Sequence, residues 1–526
     1  MNCEIYSQLR NQMNYRLIVQ QLGMLVLVLS AILFVIWVWS ALALGLDGNG
    51  VLALICAAGS STIIGTALYF SGKNGKNKRG TGSMGRREAL LLVSTSWLVG
   101  AVIAALPFLY WGRSEGNSEH PFYSVVNCFF EAMSGLTTTG ATILTDISTV
   151  PAPLLFWRSM IQWLGGIGIV VLFVAVLPSL GVGGKKLFKV EAPGPEPEGV
   201  RPHISETARI LWLIYVCLTG IEIVAYNLAG MGWFDASCHA LTTLATGGFS
   251  THNASTGAFN SRTIDIITII FMVLAGANFG LYYAAVKGKL KVILKDPEFR
   301  FYIFLLTAGS IIVIFSLLGS GQPIITTTGV AEQATIGDAV TQGVFTVVSQ
   351  QTTTGFATAD FNTWPFAAKA VLIMLMFIGG CAGSTGGGIK VIRIWVAFKV
   401  MFSELERSFR PHVVRPLKVG KTAIDSELKL ATVAYVLGVV VLFTIGCGTI
   451  MLLESGNPDC DMTTAASVSI ATICTVGPGL AKIGAIENYA WFTDSSKLFL
   501  CVLMAIGRLE IFAVLVLFVP RFWRSS

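Results

Sequence analysis

Long apolar runs alternate with short polar segments along the whole chain. Each run has about 20 residues or more, the length that crosses the hydrocarbon core of a bilayer as a helix. About ten runs predict such spans: roughly 19–46, 51–70, 88–111, 152–180, 205–228, 263–286, 300–319, 366–398, 427–454 and 496–519. The intervals between them leave no room for a separate soluble domain. The pattern predicts an all-α integral membrane protein.

Four shorter apolar stretches each lead into a turn rich in Thr and Gly. The stretches are 122–135, 234–243, 336–350 and 461–473, and the turns read LTTTGATI (136–143), LATGGFST (244–251), QTTTGFAT (351–358) and CTVGPGLA (474–481). One glycine aligns in all four turns: Gly140, Gly248, Gly355 and Gly477, at spacings of 108, 107 and 122 residues. A recurring period indicates an internal repeat. We predict four parallel repeats of span, re-entrant pore helix, turn and return span around a pseudo-fourfold axis.

The repeats divide the whole chain. We predict an N-terminal transmembrane hairpin at 1–72, pore repeat 1 at 73–200, pore repeat 2 at 201–296, pore repeat 3 with an intramembrane gate loop at 297–421, and pore repeat 4 at 422–526. The hairpin carries no Thr/Gly turn, so we expect it to support the repeats from the periphery.

Composition and charge agree with a membrane location. Hydrophobic residues make up 54% of the chain and charged residues 12%, about half the charge of a soluble domain. Of the 36 Lys and Arg residues, 28 fall in alternate loops and at the two termini. Since positive loops stay in the cytoplasm, we predict cytoplasmic termini and four turns on the outer side. The lipid bilayer is the expected partner, and nucleic acid is not.

Enzyme chemistry has little support in the sequence. The ten cysteines lie mostly inside apolar runs without metal-ligand spacing. GVGGKK (181–186) lacks the spacing of a phosphate-binding loop. We therefore expect a non-enzymatic protein with no cofactor in this chain.

The turns have the chemistry of a cation filter. A K⁺ filter replaces the hydration shell with rings of backbone carbonyls, and the turns contain no acidic residue that would favour a divalent ion. We predict that the ion is bound by carbonyls of Thr138, Thr139, Gly140, Thr246, Gly247, Gly248, Thr353, Thr354, Gly355, Thr475, Val476 and Gly477. Asp146 and Asp360 follow their turns and either line the outer mouth or are ordinary loop residues.

Two return spans contain anomalies. The third reads GGCAGSTGGG at 379–388, and each glycine disfavours a helix by about 1 kcal/mol relative to alanine. This favours an intramembrane loop over close helix packing. Arg508 lies about midway through 496–519, which favours a functional charge over a snorkelling helix-end arginine. The predicted gate comprises Gly379, Gly380, Gly383, Ser384, Thr385, Gly386, Gly387, Gly388 and Arg508.

A basic residue opens each return span, at Arg158, Arg262, Lys369 and Lys497. These side chains either anchor the helix at the membrane interface or pair with carboxylates that brace the filter. Two basic, proline-rich loops at 185–203 and 406–421 either dock a partner or only set the topology.

Together the motifs SGLTTTGAT, TTLATGGFSTH, QTTTGFATAD, TVGPGLAKIG, GGCAGSTGGGIKVIR and GRLEIF resemble the Trk/Ktr/HKT superfamily of potassium transporters, specifically its TrkH/TrkG-type membrane subunit. The resemblance covers essentially the whole chain. It implies a homodimer with one pore per protomer and a TrkA-like cytosolic regulatory subunit that binds nucleotide. The glycine-rich loop resembles the family's intramembrane gate, and Arg508 matches the arginine below its filter. Gly140 favours K⁺, since serine there accompanies Na⁺ transport in plant relatives. The fourth turn departs from the pattern at Cys474 and Val476.

The function expected from the resemblance is gated potassium uptake across the bacterial inner membrane. The alternative is K⁺ symport with H⁺ or Na⁺ by a carrier mechanism. That mechanism needs protonatable groups within the membrane, for which Glu131, His239 and Glu510 are candidates. Glu131 and His239 each precede a filter glycine by nine residues and either bind protons or brace the turn.

Overall fold

The computed structural model describes residues 13–46, 48–73, 85–175, 204–288, 291–333, 335–411, 417–420 and 422–523. The loop at 185–203, one of the two possible docking segments, lies outside these residues, and the segment 406–421 lies partly within them.

The first two helices, α1 (Tyr15–Leu44) and α2 (Val51–Lys73), form the hairpin expected at the N-terminus. Glycines allow the two backbones to approach closely. A Cβ added to Gly23 would lie under 3.0 Å from the backbone of Tyr69. Small residues at such crossings are a common means of packing helices within a membrane.

After the hairpin, a long helix, a short helix and a return segment recur four times. Repeat 1 contains α3 (Arg86–Ser114), α4 (Val125–Leu136) and α5 (Ala152–Ala175), and repeat 2 contains α6 (Ile204–Leu228), α7 (Trp233–Leu244), α8 (Arg262–Gly276), α9 (Phe279–Val286) and α10 (Lys291–Lys295). Repeat 3 contains α11 (Pro297–Ser320), α12 (Ile336–Gln351), α13 (Phe366–Phe377) and α14 (Val391–Phe409). Repeat 4 contains α15 (Ser426–Leu453), α16 (Met462–Ile473), α17 (Asp494–Arg508), α18 (Phe512–Leu515) and α19 (Pro520–Trp523).

Two small antiparallel hairpins complete the described strands: β1 (Ile324–Ile325) with β2 (Ala331–Glu332), and β3 (Lys418–Val419) with β4 (Thr422–Ala423). Short 3₁₀ turns lie at Pro121–Tyr123, Ile147–Thr149, Ser255–Phe259, Phe361–Thr363, Ala481–Ile483 and Val516–Phe518.

The four short helices α4, α7, α12 and α16 correspond to the predicted stretches before the turns. Three of them begin at a side chain that caps the first turn of the helix, at Ser124, Thr335 and Asp461. Such caps satisfy backbone N–H groups that have no partner within the helix. Each helix ends at the Thr/Gly turn that follows it, so local sequence marks the end of all four helices and the start of three.

The return segments of repeats 2 and 4 are broken, and the expectation of one continuous span at 263–286 and at 496–519 is wrong. Helices α8 and α9 meet at 94°, and α17 meets the segment 512–518 at 114°. At the first break, Asn278 caps the start of α9, because its side-chain oxygen accepts a hydrogen bond from the Gly280 N–H at 2.7 Å. The second has positive φ at Glu510 and Ile511, a conformation that no α-helix contains.

Among the described residues, six helices are long and apolar enough to cross a membrane, or up to eight if each bent pair is one span. The figure of about ten spans therefore stays a prediction.

Burial reverses the arrangement of a soluble protein. The threonines of the turns are fully buried at the centre, whereas Leu42, Phe315 and Leu437 on outer helices are largely exposed. An apolar exterior around a polar centre suits a protein surrounded by lipid.

Candidate functional site: a ring of four turns above a glycine loop

The four turns share one unusual backbone conformation. The residue two positions before each aligned glycine has φ between 51° and 58°, and the glycine itself has φ between 75° and 91°. The four non-glycine residues are Thr138, Thr246, Thr353 and Thr475. Positive φ is uncommon for threonine and persists only where surrounding structure holds it, often at functional sites.

The turns form a closed ring, defined here as residues 138–140, 246–248, 353–355 and 475–477. A Cβ added to any of the four glycines would lie under 3.0 Å from a carbonyl oxygen of the next repeat. The pairs are Gly140 with Gly247, Gly248 with Thr354, Gly355 with Val476 and Gly477 with Thr139. The cycle passes through all four repeats and returns to the first. Only glycine fits these positions, because both the space and the φ angle exclude a side chain.

One hydrogen bond recurs in every turn. The residue before the glycine donates its N–H to the carbonyl five residues earlier in the short helix, as in a Schellman helix end. The donor and acceptor pairs are Thr139 to Ser134, Gly247 to Thr242, Thr354 to Ser349 and Val476 to Ala471, at 2.8 to 2.9 Å. The fourth turn therefore adopts the conformation of the others despite its divergent sequence.

A buried ion pair supports the first turn. Arg158 Nε lies 2.6 Å from Glu131 Oε1, and both side chains are buried. Glu131 also accepts hydrogen bonds from the Thr142 hydroxyl and the Ile143 N–H, both at 2.9 Å. Arg158 Nη1 donates to the Ser250 carbonyl, just after the second turn, at 2.9 Å. The pair thus links repeats 1 and 2.

His239 holds the corresponding place in repeat 2. Its imidazole lies 2.9 Å from the Ser250 hydroxyl and 2.8 Å from the Asp235 carbonyl. Glu131 and His239, nine residues before their glycines, both brace the chain that leaves the turn. These contacts favour bracing of the turn over proton binding for both side chains.

The basic residues that open the return segments differ from one another. Arg158 and Lys497 are buried, and Lys497 Nζ donates to Asn127 Oδ1 at 2.8 Å. Arg262 is 65% exposed and pairs with Asp338, while Lys369 donates to the Asn362 carbonyl at 3.1 Å. Of the four, Arg158 and Arg262 pair with a carboxylate, and only the partner of Arg158, Glu131, also contacts a turn in the described structure.

Two side chains that sequence reasoning missed contact carbonyls of the ring. Gln162 Nε2 donates to the Gly247 carbonyl at 2.6 Å, and its Oε1 accepts from the Phe249 N–H at 3.1 Å. The Tyr489 hydroxyl donates to the Gly477 carbonyl at 2.7 Å. A carbonyl has a second lone pair for another contact. In the sequence, Gln162 is distinguished only as the single amide side chain within RSMIQWLGG (158–166).

Asp146 and Asp360 cap local turns beyond the ring. Asp146 Oδ1 accepts from the Ser148 hydroxyl at 2.8 Å and the Ser148 N–H at 3.0 Å, and these hydrogen bonds hold the pKa of Asp146 below its ordinary value. Asp360 accepts from the Asn362 N–H at 3.0 Å. These local contacts are those of ordinary loop residues, and they give no support to a role in lining the outer mouth.

The break in the third return segment is a loop, as its glycines predicted. This segment, 378–390, is called the glycine loop below. The two ends of the loop lie next to each other, because the Gly379 N–H donates a hydrogen bond to the Ile389 carbonyl at 3.1 Å. The glycine loop lies directly against the ring: the Gly387 N–H donates to Thr353 Oγ1 at 2.7 Å, and a Cβ on Gly387 would lie under 3.0 Å from Thr475.

The glycine loop also fills the break between α8 and α9. The Cys381 N–H donates to the Gly276 carbonyl at 2.8 Å, and the Phe279 N–H donates to the Gly383 carbonyl at 3.2 Å. The carboxylate of Glu298, another residue that the sequence did not reveal, accepts from the Ala382 N–H at 2.7 Å. Repeats 2 and 3 are therefore interlocked at this level.

Arg508 joins the glycine loop to two other repeats. Its side chain is 3% exposed. Nη1 donates to the Thr385 carbonyl at 2.8 Å and Nη2 to the Gly165 carbonyl at 3.1 Å. Helix α17 ends at Arg508, so this side chain lies at the break of the fourth return segment. Glu510 pairs with Arg393 of α14.

Within the described residues, no group of three or more His, Cys, Asp or Glu side chains could hold a metal ion. The oxygen atoms at the ring are backbone carbonyls and threonine hydroxyls, which suit a weakly held monovalent cation.

Known proteins share both the sequence and the architecture. The family model for TrkH, described as a cation transport protein, matches residues 55–525. The Trk system potassium uptake protein TrkH of Salmonella typhimurium is 38% identical over 98% of this chain and 100% of that protein. The Trk system potassium uptake protein TrkG of Escherichia coli is 34% identical over 88% and 89%. The crystal structure of the potassium transporter TrkH from Vibrio parahaemolyticus is 35% identical, with a TM-score of 0.83 over 97% of this chain and 100% of that chain.

Proposed function

We propose, from the premise that this chain belongs to the TrkH family of cation transport proteins, that it takes up potassium ions across the bacterial cytoplasmic membrane. The family consists of transporters, so the chain is not an enzyme. The closed ring of four turns is the observation that carries the proposal, because each aligned glycine packs against a carbonyl of the next repeat until the cycle closes.

Potassium is the proposed substrate, and the ring is the proposed filter. Carbonyl oxygens of the twelve ring residues would replace its hydration shell. The four short helices end at the ring, so their partially negative C-terminal ends face the ion. The ring contains no carboxylate, which disfavours a divalent ion.

The glycine loop and Arg508 are the proposed gate. They lie against the ring on the side of the broken return helices, and a guanidinium at that depth opposes the approach of a cation. Most residues of the loop are small, and separate hydrogen bonds anchor it to the Thr353 hydroxyl and to the side chains of Glu298 and Arg508. Exchange of these contacts would convert a closed into an open arrangement.

A carrier mechanism with H⁺ or Na⁺ has less support from the contacts. Glu131 pairs with Arg158, His239 is held between Asp235 and Ser250, and Glu510 pairs with Arg393. All three candidate proton carriers thus have bracing partners. Single-channel recording separates the mechanisms, since a strict carrier gives no discrete unitary currents.

The proposed organisation follows the sequence analysis: a hairpin at 1–72, four pore repeats from 73 to 526, and both termini in the cytoplasm. A homodimer and a TrkA-like cytosolic subunit are the proposed partners, as the system names of the relatives suggest an assembly.

The filter is tested by replacing Gly140 with serine. Its Cβ would displace the Gly247 carbonyl and bring a hydroxyl into the ring, so we expect lower K⁺ over Na⁺ selectivity in proteoliposome uptake. Gly329→Ser is the matched control, because Gly329 has the same φ of +81° with open space around it. An unchanged K⁺/Na⁺ ratio in Gly140→Ser would contradict the assigned filter.

A further inference from the structure

A separate polar cavity of about 570 Å³ lies between repeats 2 and 3, on the side where the short helices begin. Its walls are the first turn of α8, the β1–β2 hairpin and the first turns of α12. Thr358, three residues after the ring glycine of repeat 3, forms part of the wall. Carboxylates, amides and hydroxyls dominate its lining.

Most polar groups of this cavity already have protein partners. Arg262 pairs with one carboxylate oxygen of Asp338, and the Thr335 hydroxyl donates to the other. The Thr358 hydroxyl donates to Gln342 Oε1. These contacts make a preformed frame around the cavity.

Among the charged groups of this lining, Asp265 is the exception. It lines the cavity and is 7% exposed, yet among the described residues its carboxylate has neither a hydrogen bond nor an ion pair. Arg262, one helical turn earlier, is the nearest source of positive charge, but its guanidinium is engaged with Asp338. An ionised carboxylate that is buried without a partner is costly, so this side chain needs a counter-charge or a proton.

The charge balance indicates which counter-charge fits. When Asp265 is ionised, Asp265, Asp338 and Arg262 together carry one net negative charge. Neutral hydroxyl and amide oxygens surround it, and no second unpaired carboxylate lies within the described lining. Divalent sites usually combine several carboxylates or demand strict octahedral geometry. One carboxylate among neutral oxygens balances a monovalent ion.

We propose that this cavity binds a hydrated monovalent alkali cation, held by the carboxylate of Asp265. A water molecule in the liquid occupies about 30 Å³, so the cavity accommodates the ion together with part of its hydration shell. The site is distinct from the ring, since its ligands are side chains rather than turn carbonyls.

The position of the cavity links it to the ring. The Thr327 N–H donates to the Thr358 carbonyl at 3.1 Å, and the Gly257 N–H donates to the Ala357 carbonyl at 3.3 Å. The chain that leaves the third turn is thus part of the cavity wall and also contacts repeat 2. A bound cation stabilises this junction by neutralising the one unpaired charge beside it.

Infrared difference spectroscopy of the reconstituted protein tests the site, with K⁺, Na⁺ or Mg²⁺ replacing choline. The ring holds no carboxylate of its own, and Glu131, which braces the first turn, is still present in Asp265→Asn. A cation-dependent carboxylate band that is lost in that variant therefore reports on the cavity whether or not the protein transports. We expect the band with K⁺ and Na⁺, and we expect it to be lost in Asp265→Asn, which removes the carboxylate that produces it.

Two further variants fix the sign of the effect. Arg262→Gln removes the positive charge, so we expect it to lower the half-saturating K⁺ concentration a few-fold. Asp459→Asn, an exposed carboxylate paired with Lys482 elsewhere, should leave the titration unchanged. The proposal is overturned if the wild-type band is absent, if it persists in Asp265→Asn, or if Mg²⁺ saturates it below the K⁺ concentration. If Asp265→Asn does not fold, the Arg262→Gln titration tests the proposal by itself, and an unchanged or higher half-saturating K⁺ concentration in that variant would overturn it.

Discussion

In the ring, each repeat contributes the same backbone conformation, whereas in the layer beneath it each described repeat contributes a different element. The four turns share their φ values, their helix-end hydrogen bond and their glycine contact with the next repeat. Beneath them lie the continuous helix turn at Gly165, the bend at Gly276, the glycine loop and the helix end at Arg508.

This difference follows from what each region has to do. A carbonyl ring must present equal distances to a small ion, so each turn is fixed by contacts that leave no room for a Cβ. A gate needs two arrangements of similar free energy, and a loop of mostly small residues held by a few separate hydrogen bonds suits that requirement. Variants in the ring should therefore lower stability, selectivity or K⁺ uptake, and variants in the layer beneath should raise flux without changing selectivity.

The largest expected effect is on the frame of the ring. Glu131→Gln leaves Arg158 buried without its counter-charge, and breaking a buried ion pair in this way costs about 3 to 5 kcal/mol. We expect a clear fall in the thermal unfolding midpoint of the purified protein. Asp459→Asn breaks an exposed pair and should produce little change. Equal midpoints in the two variants would show that the first turn does not depend on this pair.

The next effect concerns the ring itself. Gly248→Ala places a Cβ against the Thr354 carbonyl at a φ of +75°. Strain of about 1 to 3 kcal/mol, added to the barrier for ion passage, corresponds to a loss of K⁺ uptake of about five- to 150-fold. Gly230→Ala, in the same repeat at a φ of +98° with open surroundings, controls for backbone strain. Similar uptake by both variants would contradict the close contact within the ring.

A smaller effect of opposite sign is expected beneath the ring. Arg508→Gln removes the charge next to Thr385 and two hydrogen bonds that hold the glycine loop. We expect basal K⁺ flux in proteoliposomes to rise several-fold with unchanged K⁺/Na⁺ selectivity, and shortening Gly380–Gly388 should act likewise. Arg407→Gln, on an exposed face of α14, is the control. A loss of flux with intact folding would assign Arg508 a structural role.

The smallest effect lies at the start of α16. Asp461 accepts a hydrogen bond from the Thr464 N–H at 2.7 Å, and hydrogen bonds from Thr464 hold the pKa of Asp461 below its ordinary value. Asp461→Ala should reduce stability by about 1 kcal/mol. Because the folded pKa is depressed, this contribution is complete above the unfolded pKa of about 3.9 and is lost as pH falls further.

Thermal unfolding at several pH values measures this difference. Asp461→Asn keeps the cap without the titrating charge and serves as the control. A difference between wild type and Asp461→Ala that grew on acidification would contradict the assigned sign.

Much of this architecture could be predicted from local patterns. The short helices ended where the turns predicted, and the glycine loop was found where six glycines disfavoured a helix. The broken helices in repeats 2 and 4 could not be predicted. Residues 263–286 are apolar throughout their central part, and the bend at Gly276 depends on the glycine loop, which supplies hydrogen-bond partners from more than 100 positions away.

The sequence by itself determined the family, the membrane setting, the four-turn repeat and the residues of the ring, because period, hydropathy and glycine content are local properties of the chain. The tertiary structure alone decided which side chains support those residues. Gln162, Glu298 and Tyr489 are unremarkable in sequence and contact the ring or the glycine loop only after folding. It also left Asp265 without a partner in a polar cavity. Such pairings depend on the distances between repeats, which no local pattern encodes.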